Sequence, residues 1–289
     1  MTPPSVAPVG VAHLTLLQLS PPDLVTTAAE AGYDFVGVRV KAVTAGEHQY
    51  PMQPGSPMAQ ETLRRLDDTG LAVRDVEFLS LGPDTGPADW LPALEAGAAL
   101  GAGTLSVVGA DVDRVRLTDT LAHLVADARP YGIRPTLEPI SYQPVSRVSD
   151  AAALASATGA ALLLDALHIQ RGGSSVDDVR ALEPALVPVL QICDGPLAAP
   201  ERLEVPGELP LGMTADGSAL QVEARALRRV PGEGEFPLLD LLAALPAGTP
   251  LSVEVPDARL QASMSPLDFA ARNREAVRRL VERAVSPAG

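Results

Sequence analysis

RPTLEPI (134–140), ALLLDAL (161–167), VPVLQIC (187–193) and LSVEV (251–255) are four short apolar runs, each carrying one oxygen-bearing side chain at or near its end: Glu138, Asp165, Gln191 and Glu254. Runs of this length, without polar alternation, read as strands covered on both faces, as in a parallel sheet. The polar positions lie 27, 26 and 63 residues apart. The first two spacings each match one strand–helix unit.

Outward from these four, VAHLTLLQL (11–19), FVGVRV (35–40), AVRDVEFLSL (72–81) and TLSVVG (104–109) have the same character. Helical segments lie between them. PDLVTTAAEAG, for example, is opened by Pro22-Asp23 and closed by Gly32. Segment 194–236, rich in Pro and Gly, reads as irregular, and MSPLDFAARNREAVRRLVERA as a closing helix. Eight strands thus alternate with eight helices. An open doubly wound sheet would also alternate, but no GxGxxG follows the first strand. The expected fold is α/β, a single (β/α)8 barrel over 11–285, preceded by a flexible tail over 1–10. At 289 residues the chain suits one such barrel, which typically needs about 250.

Composition narrows the function. A formal net charge of -14 argues against a nucleic-acid partner, which needs clustered cations. No apolar stretch reaches the ~20 residues of a membrane span, and the N-terminus has no signal-peptide pattern. Cys193 is the one cysteine, so an internal disulfide and a CxxC zinc site are excluded, and a cytoplasmic location fits. Lys41 is the one lysine, so Schiff-base chemistry would have to use it.

In a parallel barrel, residues at the C-terminal ends of different strands converge on one mouth. Three carboxylates and an amide there would hold one divalent cation, Mn2+ or Mg2+ in preference to Co2+ or Zn2+, because the donors are oxygens. Glu254 stands out, since a carboxylate inside an apolar run is costly unless paired or metal-bound. Glu138 and Glu254 suit proton removal and return at adjacent carbons. His168, in DALH, suits a substrate hydroxyl or a proton-transfer step, and Arg228, before PGEGEF, suits substrate oxygens. Asp194, which could instead order Gln191 or cap the next segment, and Glu77 are further candidates for substrate contact. Arg39, in VGVRV, is a charge that needs a partner, and Glu77 offers one.

LEP (137–139), LLLDALH (162–168), LQICDGP (190–196), RRVPGEGEFPL (228–238) and LSVEVP (251–256) together resemble the xylose isomerase-like TIM barrels. That superfamily groups sugar (phosphate) isomerases and epimerases, inosose isomerases and dehydratases, and 3-dehydroshikimate dehydratases. The resemblance implies metal ligands at Glu138, Asp165, Gln191 and Glu254 and a substrate contact at His168. One position departs from the epimerase pattern. Its HxxD motif reads Gln191-Ile-Cys-Asp194 here, which looks like some 3-dehydroshikimate dehydratases. Endonuclease IV proteins share the fold but need additional histidines, and this chain has four in all.

The expectation is a metal-dependent isomerase or epimerase of carbohydrate metabolism. It would act on a small polyol, keto-sugar or cyclic hydroxy-ketone by proton abstraction alpha to the carbonyl. A dehydratase (lyase) is the alternative and a non-catalytic binding barrel the third reading. A homo-oligomer is compatible with all three.

Overall fold

A computed structural model describes residues 7–285 except 45, 206 and 216. Eight parallel strands close in sequence order into a barrel. They are β1 (Val9–Val11), β2 (Phe35–Arg39), β3 (Ala72–Leu81), β4 (Thr104–Gly109), β5 (Arg134–Glu138), β6 (Ala161–Asp165), β7 (Val189–Ile192) and β8 (Leu251–Val253). Closure is made by β1 against β8, with Val9, Gly10 and Val11 opposite Leu251, Ser252 and Val253.

The helices are α1 (Pro21–Glu30), α2 (Pro57–Thr69), α3 (Pro87–Ala99), α4 (Arg114–Ala128), α5 (Val148–Thr158), α6 (Ala166–Arg171), α7 (Val176–Arg180), α8 (Ala219–Ala226), α9 (Leu238–Ala244), α10 (Ala258–Gln261) and α11 (Pro266–Val285). Their ends follow local chemistry. α2 starts at Ser56, whose Oγ accepts the Ala59 N–H at 3.1 Å, and stops at Gly70, which adopts the left-handed φ of 71°. No helix among the described residues is long and apolar enough to cross a membrane.

Three expectations are corrected. The first strand is Val9–Val11, not 11–19, and His13–Leu16 forms a 3-10 turn directly after it. The strand therefore begins inside the expected 1–10 tail, of which residues 1–6 lie outside the described residues. Segment 194–236 is not wholly irregular, since it contains α8. The sequence signal for α8 is Ser218 as N-cap followed by ALQVEARA, whose buried positions Val222 and Ala226 are four apart. The third difference is that the described residues form eleven helices rather than eight, because α8 adds one and short helices α6 and α10 occupy strand-to-helix loops.

The main core lies between barrel and helices. Trp90 of α3 is fully packed there, and its Nε1 donates to Asp127 Oδ2 of α4 at 2.9 Å. Trp90→Phe removes that bond and part of the volume. It should destabilise the chain by about 1–3 kcal/mol, read as a lower denaturant midpoint by circular dichroism. An unchanged midpoint would mean α3 and α4 are not coupled through this residue.

Inside the barrel, residues two apart on a strand share a face. Leu163 and Val189 lie two positions before Asp165 and Gln191, and they pack with Phe35 into a separate apolar cluster. Gly10 admits the Phe35 ring, since a Cβ there would meet a ring carbon at 2.2 Å. This cluster forms a floor under the polar C-terminal layer.

Candidate active site

Register places the polar residues side by side. Asp165 pairs with Gln191 across β6 and β7, Gln191 with Ser252 across β7 and β8, and Glu254 follows β8 directly. Glu138 ends β5. All four are at least nine-tenths buried, and Glu138, Gln191 and Glu254 line one cavity of about 120 Å3 at the barrel mouth. Asp165 is fully buried, is not a lining residue, and meets the cavity residue Arg228. The fold thus brings Glu138, Gln191 and Glu254 to one cavity, with Asp165 joined to Glu254 through Arg228.

Their contacts are specific. Gln191 Nε2 donates to Glu254 Oε1 at 2.8 Å, which leaves Gln191 Oε1 buried without a hydrogen-bond partner. Asp165 Oδ1 accepts the Leu167 N–H at 2.7 Å and so caps α6. Its Oδ2 accepts Arg228 Nη1 at 2.6 Å, and Arg228 Nη2 lies 2.8 Å from Glu254 Oε2. Arg228, expected to face substrate oxygens, lines the cavity but is 2% exposed and holds two of the acidic groups.

His168 lies on α6 rather than on a free turn. Its Nδ1 faces the Ser141 N–H at 3.4 Å and Ser141 Oγ at 3.1 Å, and its Nε2 is 3.8 Å from Glu138 Oε1. A backbone N–H can only donate, so Nδ1 accepts and the neutral ring carries its proton on Nε2, toward Glu138. Burial pushes His168 down to about 4, so the ring is neutral near pH 7. Glu138, Asp165 and His168 each offer an atom within 4.8 Å of the others, an arrangement that could hold a metal. His168 thus stands beside these four residues as a further candidate ligand, through a ring nitrogen.

Burial, reinforced by Glu254 and Asp165, raises Glu138 well above the usual carboxylate range. Burial also raises Glu254, despite the opposing pull of Arg228. Burial acts to raise Asp165 too, but there the Arg228 guanidinium prevails and holds it low. With all three carboxylates ionised, they and the one guanidinium sum to about -2, a charge that a divalent cation offsets and that burial alone disfavours. Glu138, Asp165, Gln191 and Glu254 offer only oxygen donors, and Gln191 supplies a buried one that lacks a partner. These residues fit a hard or borderline divalent ion.

Asp194 is not among the cavity residues. Its carboxylate accepts the N–H groups of Gly195, Gly232 and Phe236 at 2.8, 2.9 and 3.0 Å, and its backbone pairs with Arg229. It organises the PGEGEF loop, and it lies outside the cavity lining. Gly234 is required there, because a Cβ would meet Asp194 Oδ1 at 2.3 Å. Glu77 lines the cavity. Its Oε1 accepts the His13 N–H at 2.9 Å, and Arg39 Nη2 lies 3.5 Å from Oε2. Arg39 also bonds Glu47 at 3.0 Å, so its charge is paired. Lys41 instead contacts Asp89, outside the cavity.

Sequence reasoning missed Ser141, Tyr142 and Arg225. The latter two line the cavity, and Tyr142 packs edge-on against His168 at 5.7 Å. Their signal was weak, since Ser141 and Tyr142 lie in the loop after β5, where no local pattern marks direction, and Arg225 lies on α8, within a segment that reads as irregular. α8, which carries Arg225, is held to α6 by a buried two-bond pair between Arg171 and Glu223, both bonds 2.8 Å.

A family profile described as xylose isomerase-like TIM barrel matches residues 25–283. Solved structures with similar folds include the IolI protein with a bound zinc atom, at 16% identity and TM-score 0.68, covering 96% of this chain and 99% of that one. D-allulose 3-epimerase from Methylomonas sp., in complex with D-allulose, matches at 16% identity and TM-score 0.65, covering 96% and 98%. 3-Keto-D-glucoside 4-epimerase from E. coli matches at 14% identity and TM-score 0.65, covering 95% and 98%. No curated protein sequence matches the chain.

Proposed function

The chain belongs to the xylose isomerase-like TIM barrel family, and from that premise we propose that it is a divalent-metal-dependent isomerase or epimerase of a small polyhydroxylated carbonyl compound. The observation that carries the reading is the buried, unpartnered Gln191 Oε1 within a ring of three buried carboxylates. Leaving such an oxygen unsatisfied costs about 1–3 kcal/mol unless a ligand uses it.

Glu138, Asp165, Gln191 and Glu254 would hold the ion. A bound divalent ion supplies a Lewis acid that polarises the substrate carbonyl and makes its alpha proton more acidic. Glu138 or Glu254 takes that proton at a carboxylate oxygen, and the other returns one to the adjacent carbon. His168 Nε2–H donates to a substrate oxygen beside Glu138. Arg39, Arg225 and Arg228 line the cavity and orient hydroxyl or carbonyl oxygens. The floor of Phe35, Leu163 and Val189 excludes water from below. A cytoplasmic location accords with the single buried thiol, Cys193.

A neutral His168 could equally protonate a departing beta-hydroxyl, which favours a dehydratase as the second reading. Incubation of the Mg2+-loaded protein in D2O with ketoses, inososes and 3-dehydroshikimate, followed by NMR, separates the two. Deuterium in an isomeric product supports the isomerase. A product one water lighter, with new ultraviolet absorbance, replaces it with the dehydratase. No exchange with any compound overturns both and leaves a binding barrel.

A further inference from the structure

Two of the four candidate ligands already hold a cation that belongs to the chain. Arg228 is anchored by Nε to the Ala224 carbonyl at 2.8 Å. Its Nη1 reaches Asp165 Oδ2 at 2.6 Å and the Glu254 carbonyl at 3.3 Å, and its Nη2 reaches Glu254 Oε2 at 2.8 Å. The remaining oxygens of these carboxylates are also engaged, Asp165 Oδ1 by Leu167 N–H and Glu254 Oε1 by Gln191 Nε2. A divalent ion drawn to this ring must therefore share oxygens that a guanidinium occupies, at a distance where two positive charges repel.

We propose that Arg228 is an internal counter-cation that competes with the divalent ion for Asp165 and Glu254. Metal binding shifts its hydrogen bonds off those carboxylates and frees guanidinium donors toward the cavity that Arg228 lines. The proposal rests on the metal-dependent reading above and adds an order of events. The ion binds first, and its binding readies Arg228 for an oxygen-rich substrate. The anchor to Ala224 keeps the side chain at the cavity wall while its far end changes partners.

Mn2+ affinity, read from the electron paramagnetic resonance of free Mn2+, tests this in the wild-type protein and in Arg228→Met and Arg228→Lys. Loss of the competing charge in Arg228→Met should tighten Mn2+ binding by on the order of tenfold or more. Arg228→Lys keeps a charge but has one nitrogen and cannot bridge both carboxylates, so it should fall between. Arg228→Met leaves two buried carboxylates without their cation and can fail to fold. Wild-type protein then decides with Arg228→Lys. In a 15N–1H NMR titration with Mg2+, the Arg228 Nε–H signal, identified by its loss in Arg228→Lys, should move in step with ion binding. Weaker or equal Mn2+ affinity in Arg228→Met, or an Arg228 signal unmoved at saturating Mg2+, overturns the coupling but leaves the metal site standing. Failure of the wild-type protein to bind either ion overturns the metal-dependent reading and the coupling with it.

Discussion

Glu138→Gln is expected to lower turnover by about 10²–10⁴-fold, the usual contribution of a positioned acid–base group. Glu138 ends β5, lines the cavity and is 5% exposed, with His168 Nε2 at 3.8 Å. Burial and two neighbouring carboxylates disfavour its charge, so its carboxylate is a stronger base than a solvated one. Glutamine keeps the volume and an oxygen donor but cannot take a proton. The measurement is the rate of solvent deuterium entry into whichever panel compound reacts, with bound Mn2+ assayed in parallel. Slow exchange with metal retained identifies Glu138 as a proton carrier. Slow exchange with metal lost identifies it as a ligand first. Unchanged exchange removes it from the chemistry.

Asp165→Asn is expected to weaken Mn2+ binding by at least the ~10–100-fold that loss of an outer partner of a metal ligand costs. Asn is chosen over Ala because it keeps an acceptor for the Leu167 N–H that caps α6. Truncation to Ala would also strand the buried Arg228, and breaking such a pair costs about 3–5 kcal/mol, which would confuse unfolding with loss of metal. Equilibrium dialysis measures the affinity, and circular dichroism checks the fold. Affinity equal to wild type in a folded variant would remove Asp165 from the ligand set.

Asp165 and Glu138 were legible in the sequence because each follows an apolar run on the same strand, and strand end and side-chain direction are local properties. Gln191 was legible for the same reason. His168 was legible as a residue but not as a helix position, because a six-residue helix leaves little periodicity to read. The contacts of Asp194 were not legible, because its partners Gly232 and Phe236 lie 38 and 42 residues away, and only the folded loop brings their N–H groups to it. The first strand was placed late for a related reason. VAHLTLLQL is apolar throughout, and the 3-10 turn at His13–Leu16 is stabilised by contacts from elsewhere, such as Glu77 to the His13 N–H.

The order of eight strands, the barrel they close and the four polar strand ends were determined by the sequence alone, because burial on both faces and the period of a strand are written in neighbouring residues. The Gln191–Glu254 bond, the unpartnered Gln191 oxygen and the insertion of Arg228 between Asp165 and Glu254 were decided by the tertiary structure. Gln191 and Glu254 are 63 residues apart, as are Asp165 and Arg228. At that separation, which carboxylate an arginine neutralises depends on barrel closure and on the path of a long loop. No local pattern of charge or hydropathy encodes either.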